Sequence, residues 1–294
     1  MPDAARIVCI GGGHGLSAAL AAAKHLSRDV TAVVTAADDG GSSGVLRRWL
    51  GIPAPGDLRM AIAALAGDEQ AALVQYRFRE GDLAGHPLGN LLIAALADVR
   101  GDFVRAVEEA ARIAGVTGAV FPASPEPVTL HATIGGTPVE GQVAIALGPD
   151  AVERLWLDPE EPAATPEAVN AIEAADLVVL GPGSLFTSVL AALLVPGVGK
   201  AVRGARRVAF VLNIAEQLGE TRGLSASAHI DALTRHVRRL RLDAVLVHDG
   251  PVDNLRRPVV LDADAIRVPI VRADLASEGT HDPVKLAATL KTLL

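Results

Sequence analysis

A single cysteine, Cys9, stands in the 294 residues, so no disulfide can form within the chain. A lone thiol suits a reducing compartment. Aromatic side chains are scarce, at five Phe, two Trp and one Tyr, so a core must be built from Ala, Val, Leu and Ile. No apolar run reaches the roughly 18 residues of a membrane span. The longest, near 188–198, is broken by Pro196 and Gly197. The opening MPDAARIVCIGGG holds no apolar signal core. Basic charge is not in excess either. Lys and Arg number 27 against 34 Asp and Glu, a net charge of −7, which argues against a nucleic-acid partner. A cytoplasmic protein with neither a membrane nor a nucleic-acid partner is expected. Arg235, Arg238, Arg239 and Arg241 would form one basic helix face, read as solvated or as an oligomer contact.

What is present is a large apolar fraction, 50% against 21% charged, enough for a substantial core. Glycine (29) and proline (18) are spread without a period, which excludes collagen-like and linker sequences. The run RIVCI at 6–10 is apolar throughout, as parallel strands covered on both faces are. Residues 15–26 place Leu16, Ala19, Leu20, Ala23 and Leu26 on one helical face, and VTAVVT at 30–35 is a second strand, completing a βαβ unit. From 43 to 115 the pattern is helical. Segments near 118–121, 128–134 and 138–147 alternate, with Gly135-Gly136 as a hairpin turn, and read as an antiparallel insertion. The βα rhythm then returns: a helix start at Thr165-Pro166-Glu167, strands at 176–180, 207–213 (closed by Asn213) and 243–247, a helix over 225–240, and a last helix capped by Asp282 with Pro283 after it. The expectation is one domain over 1–294, a Rossmann-like α/β/α sandwich with a mostly parallel sheet and a small helical and antiparallel β insertion at about 44–150.

Five segments carry candidate chemistry. Gly11, Gly12, Gly13, His14 and Gly15 join the first strand to the first helix. Glycines there let a ligand approach the backbone, and the helix start favours an anion. Leu16 stands where the dinucleotide fingerprint needs its third glycine, so phosphate or nucleotide binding is expected, not NAD. Asp38, Asp39, Gly40, Gly41, Ser42 and Ser43 follow the second strand as a loop that a ligand would order. The two carboxylates are candidates for Mg²⁺, for a sugar hydroxyl, or for helix capping and solvent. Asp57 caps a helix in PAPGDLR, and Arg59 sits in its first turn as a phosphate clamp or an ion-pair partner of an aspartate. His86 and Asn90 flank another glycine pair. Gly181, Gly183, Ser184, Thr187 and Ser188 form a second glycine turn, expected to face the first across the switch-point crevice. Two such turns suit a nucleotide-sugar. No G-x-x-x-x-G-K-[ST], H-E-x-x-H, C-x-x-C or G-x-S-x-G motif occurs, and no catalytic set is assembled by local pattern.

Read in order, IGGGHGLS, TAADDGGSSG, PAPGDLR, QYRF, LAGHPLGNLL, GDFVRAV, LGPGSLFTS and SEGTHDP resemble the YvcK-like family of gluconeogenesis factors over nearly the whole chain. The wider superfamily includes the 2-phospho-L-lactate transferase of coenzyme F420 biosynthesis. The resemblance implies a Rossmann-like fold and a cytosolic bacterial protein that binds UDP-N-acetylglucosamine. It also implies a role in cell shape and peptidoglycan synthesis during gluconeogenic growth, with Ser/Thr kinases and wall-synthesis proteins as partners and a homo-oligomeric state. The alternative it carries is a Mg²⁺-dependent phosphotransferase. Three positions depart from the pattern: His14 where Thr is usual, Met60 where Asn often follows the arginine, and Thr280 where an Arg commonly precedes His281-Asp282.

Overall fold

The structure is a computed structural model and describes residues 5–148, 150–217, 219–252 and 257–294. Its centre is a seven-stranded sheet: β1 (Ile7–Gly11), β2 (Val30–Val34), β3 (Ala119–Pro122), β7 (Leu177–Leu180), β8 (Val208–Val211), β9 (Ala244–His248) and β10 (Ile270–Ala273). The spatial order is β10-β9-β8-β7-β1-β2-β3, and every pairing is parallel. The apolar runs follow from this placement. Along β1, Val8 and Ile10 enter one core while Ile7 and Cys9 enter the other, so both faces of the strand are covered.

The helices fill both faces. They are α1 (Gly13–Leu26), α2 (Gly41–Leu50), α3 (Gly56–Leu65), α4 (Asp68–Gln75), α5 (Leu88–Arg100), α6 (Phe103–Ile113), α8 (Pro166–Ala174), α9 (Ala191–Leu193), α10 (Pro196–Gly204), α11 (Ala226–His236) and α12 (Pro283–Leu290). Leu185–Leu190 is a π-helical turn running into α9. Among the described residues no single helix is long and apolar enough to cross a membrane; Leu185–Leu193 and Pro196–Gly204 qualify only as a pair bent by 82°. A separate antiparallel sheet joins β4 (Thr129–Ile134), β5 (Thr137–Glu140) and β6 (Val152–Asp158), with α7 (Gln142–Ala146) between the last two. Ile134 pairs with Thr137, and Gly135 and Gly136 between them take φ of +55° and +74°, as a two-residue hairpin turn requires.

The sequence reading needs four corrections here. Residues 118–121 are not part of the antiparallel insertion. Ala119–Pro122 is the edge strand of the main sheet, parallel to β2, because its apolar face closes over α6 as well as the small sheet. The insertion is therefore not one block over 44–150: β3 interrupts it, and its last strand runs on to Asp158. The segment Gly41-Ser42-Ser43 is no loop but the first turn of α2, closed by Gly44 N–H on the Gly40 carbonyl. The basic face over 235–241 is also not one helix, since α11 stops at His236 and Arg239 takes a left-handed φ of +64°.

Candidate functional site

The sheet order reverses between β1 and β7, which leave in opposite directions from a shared edge. Parallel α/β sheets open a crevice at the carboxyl end of such a pair. Both glycine turns lie there and touch. A Cβ on Gly15 would sit 2.4 Å from the Pro182 carbonyl oxygen and 2.6 Å from the Gly183 Cα, so the backbones meet with no room for a side chain. Gly181 (φ +72°) and Gly183 (φ +136°) make the bend that brings the second turn there. Beside this junction opens a cleft of about 720 Å³. Its rim and walls come from His14, Gly15 and Ala18 on the first turn and helix, Pro182 and Gly183 on the second, and two late segments: Asn213 to Gln217 with Arg257, and Gly279 to His281.

The floor is a chain of side-chain hydrogen bonds. Asn213 Oδ1 accepts the Gly183 N–H (3.1 Å), Asn213 Nδ2 donates to Gln217 Oε1 (3.0 Å), and Gln217 Nε2 donates to Ser184 Oγ (3.0 Å). Burial, with the nearby His248 adding to it, pushes the His281 imidazole down to about 4, so it is neutral at pH 7. The ring's Nε2 and Glu216 Oε2 are buried with no hydrogen-bond partner among the described residues.

The two turns are not equal as anion seats. In the second turn, Gly183 N–H is taken by Asn213, and the Phe186 and Thr187 N–H groups donate to Glu220 Oε2 at 3.0 and 3.3 Å. The Thr187 hydroxyl donates to Glu220 Oε1 at 2.5 Å. Burial raises the Glu220 carboxyl's pKa, and these donors pull the other way. Thr187, bonded to this acid, and Ser188 are both buried and do not line the cleft. In the first turn Gly13 N–H is held by Asp57, while His14 and Gly15 donate to no acceptor among the described residues. The helix dipole and these two amides leave α1 as the anion-ready end.

Behind the first turn lies a second cluster, away from the cleft lining. Asp57 is 9% exposed and wedged beneath Gly12, where a Cβ would fall 2.3 Å from Asp57 Oδ2. That oxygen has no partner among the described residues. Burial, and then the charge of Asp38, push the Asp57 carboxyl up to about 7; the Gly13 N–H and Arg59 work against them. Among the described residues Arg59 forms no ion pair with an aspartate. Its Nε donates to Asn90 Oδ1 (3.1 Å) and its NH1 to Gln75 Oε1 (3.3 Å). Asn90 Nδ2 donates to Ser42 Oγ (3.1 Å), which lies 2.8 Å from His86 Nδ1. Ser43 is buried against Gly56. Ser42, Ser43, Arg59, His86 and Asn90 thus gather with Asp57 behind the first turn, while His14 and Gly15 face the cleft.

A divalent ion shared by Asp38 and Asp39 does not fit this arrangement. Asp39 Oδ1 accepts the Val143 N–H at 3.0 Å and its Oδ2 packs on Gly141, capping α7, while Asp38 Oδ1 accepts the Gly40 N–H at 2.9 Å. The side chains diverge, and among the described residues no three His, Cys, Asp or Glu side chains form a metal-type group. The cleft residues Ala215, Glu216, Gln217, Arg257 and His281 were not singled out from sequence. Their only local signal was position just after a strand or inside SEGTHDP.

Comparison with known proteins agrees with the fold. The family model for 2-phospho-L-lactate transferase CofD matches residues 7–276. A Mycobacterium tuberculosis (strain H37Rv) relative is 47% identical, covering 97% of this chain and 89% of its own. The gluconeogenesis factor of Bacillus subtilis (strain 168) is 39% identical, covering 98% of each chain. A crystal structure of a UPF0052 family protein from Bacillus halodurans, 36% identical, superposes with a TM-score of 0.94 over 99% of this chain and 100% of that one. The chain belongs to the CofD family, among the relatives that carry the name gluconeogenesis factor.

Proposed function

We propose that the crevice binds a UDP-sugar, UDP-N-acetylglucosamine, and that the protein acts as a regulatory binding protein for cell morphogenesis and peptidoglycan synthesis during gluconeogenic growth. The observation that carries this is the cleft at the junction of the two turns. One wall offers the free amides of an α-helix start to a diphosphate. Glu216 and His281 also line the cleft, and their Oε2 and Nε2 atoms, unpartnered among the described residues, are acceptors for the hydroxyl and N–H groups of a sugar or base. Arg257, on the rim, can face the diphosphate where Thr280 supplies no cation. The absence of an assembled acid–base set in the cleft favours binding over turnover. Calorimetry with UDP-N-acetylglucosamine tests this: saturable heat at micromolar to millimolar ligand is expected, and none at several millimolar rejects it.

Family membership supports a second reading, a phosphotransferase like the one the family model is named for. Asp57 and Asp38, drawn together behind the anion-ready turn, are the groups on which it would rely. Turnover of a nucleotide-activated phosphoryl substrate that Asp57→Asn abolishes while leaving binding intact would favour it.

A further inference from the structure

The motif QYRF, at 75–78, lines no part of the cleft. It opens the connection from α4 to α5, and residues 75–85 lie exposed apart from a half-buried Phe78. This connection is a fixed arm and not a slack loop. Leu88 N–H donates to the Tyr76 carbonyl (2.7 Å), Phe78 N–H to the His86 carbonyl (3.1 Å) and Gly85 N–H to the Phe78 carbonyl (2.9 Å). The Arg77 guanidinium donates to the Gly85 carbonyl as well.

Aromatic side chains are few in this chain, yet they collect here. Tyr76 and Phe78 meet edge to face with 5.3 Å between centroids, and Trp49, near the end of α2, reaches the His86 ring at the other foot of the arm (6.4 Å). Of the twelve large apolar side chains that stand exposed among the described residues, five share this surface: Trp49 (73% exposed), Leu50, Leu73, Tyr76 and Leu83. The backbone makes them neighbours, since Tyr76 N–H donates to the Leu73 carbonyl and His86 N–H to the Leu83 carbonyl. Together they leave on the order of 500 Å² of apolar surface in water, at the upper end for a monomer and about the apolar share of one side of a standard interface.

We propose that this face, the arm over 76–87 with the end of α2, binds a second copy of the chain across a two-fold axis. Charge selects that occupant. Arg48, Arg77 and Arg79 stand exposed on the patch together with Glu80 and Asp82, and none of the five has an ion-pair partner among the described residues. A patch of one sign would call for a partner of the other. A patch holding both signs matches its own rotated copy, because a two-fold sets residue i against j and j against i at once. The arm is already tied in place, so docking costs little further ordering. Trp, Tyr and Arg are also the side chains on which interfaces concentrate their binding energy.

The test is sedimentation equilibrium of the intact chain. A dimer with a dissociation constant of about 10 μM or tighter is expected, and a monomer throughout the range of about 1–200 μM overturns the proposal. Trp49→Gln with Tyr76→Gln should weaken the dimer at least about tenfold while the far-UV circular dichroism stays that of wild type. Glu80→Arg with Asp82→Arg, which leaves a single sign on the patch, should weaken it too. Arg238→Glu, on the basic segment after α11, should leave it intact. A dimer that survives both double variants, or that Arg238→Glu alone dissolves, overturns the proposal. Should the Trp49/Tyr76 variant not fold, hydrogen exchange of wild type decides. Amides over 76–87 should exchange several-fold more slowly at the highest concentration than at the lowest, and equal rates overturn the assignment of this face.

Discussion

The contact between the two turns gives the sharpest prediction, Gly15→Ala. The substitution adds one methyl at a helix position, where alanine alone would gain about 0.5–1 kcal/mol from propensity. Here the methyl meets three backbone atoms: the Pro182 oxygen at 2.4 Å, the Pro182 carbonyl carbon at 2.6 Å and the Gly183 Cα at 2.6 Å. Ordinary contacts would be near 3.5 Å, so an overlap of about 1 Å must be relieved. None of the obstructing atoms is a side-chain end that can rotate away. The turn after β7 must shift, straining the Asn213 and Glu220 hydrogen bonds that hold it. Overpacking of this kind costs about 1–3 kcal/mol, and loosened hydrogen bonds to a buried carboxylate add about 1–2 kcal/mol. After the propensity gain the net loss is about 1–4.5 kcal/mol, or a fall in Tm of roughly 2–14 °C for a chain of this size. Differential scanning calorimetry on wild type, Gly15→Ala and the distant control Gly204→Ala measures it. Gly204 has open space where its Cβ would go, so that variant should match or exceed wild type. A Gly15→Ala protein within about 1 °C of wild type would refute the claim that the turns are interlocked.

Three further outcomes follow from the same structure. Asp57 has a folded pKa near 7 against an ordinary value of 3.8, so the native state binds its proton more tightly than the unfolded chain does. Its contribution to stability is therefore full below the unfolded value and declines as pH rises from about 4 to 7; urea melts of Asp57→Asn should lose that part of the pH slope, and an unchanged slope would count against it. Glu220→Leu removes the acceptor of two buried N–H groups and of the Thr187 hydroxyl, so it should cost at least about 1–3 kcal/mol in chemical denaturation even though it keeps most of the side-chain volume; stability equal to wild type would contradict the assigned hydrogen bonds. Burial pushes the Cys9 thiol up to about 12, so a disulfide reagent at about pH 8 should label none of the native protein and all of it in denaturant.

Much of this architecture is written in local pattern. Strands covered on both faces read as unbroken apolar runs, which made β1, β2, β7, β8 and β9 visible, and Asp282 does cap the last helix by accepting from Val284 and Lys285. The Gly135-Gly136 turn was equally plain. Errors arose where neighbours far along the chain decide. Residues 119–122 become a parallel edge strand because β2 is exposed to them, which no short window reveals. Ser42 and Ser43 look like loop residues by composition, yet the Gly44 N–H closes on the Gly40 carbonyl and makes them the first turn of α2. Asp38 and Asp39 are adjacent in sequence but divergent in space, so adjacency suggested a joint role that side-chain direction denies. Glu220 gave no signal at all. Its importance comes from being carried into the core beside residues 33 and 34 positions earlier.

The cleft is assembled from pieces synthesised at very different times. β1 waits for Leu177–Leu180 as its second neighbour, and the wall around His281 arrives with the two short strands Ala276–Ser277 and Thr280–His281, just before the helix that packs on α1. A nascent polypeptide halted anywhere before that point holds the glycine turn but no enclosure around it. Enclosure of that turn therefore rests on pairings between distant parts of the chain, which form more slowly than local helices.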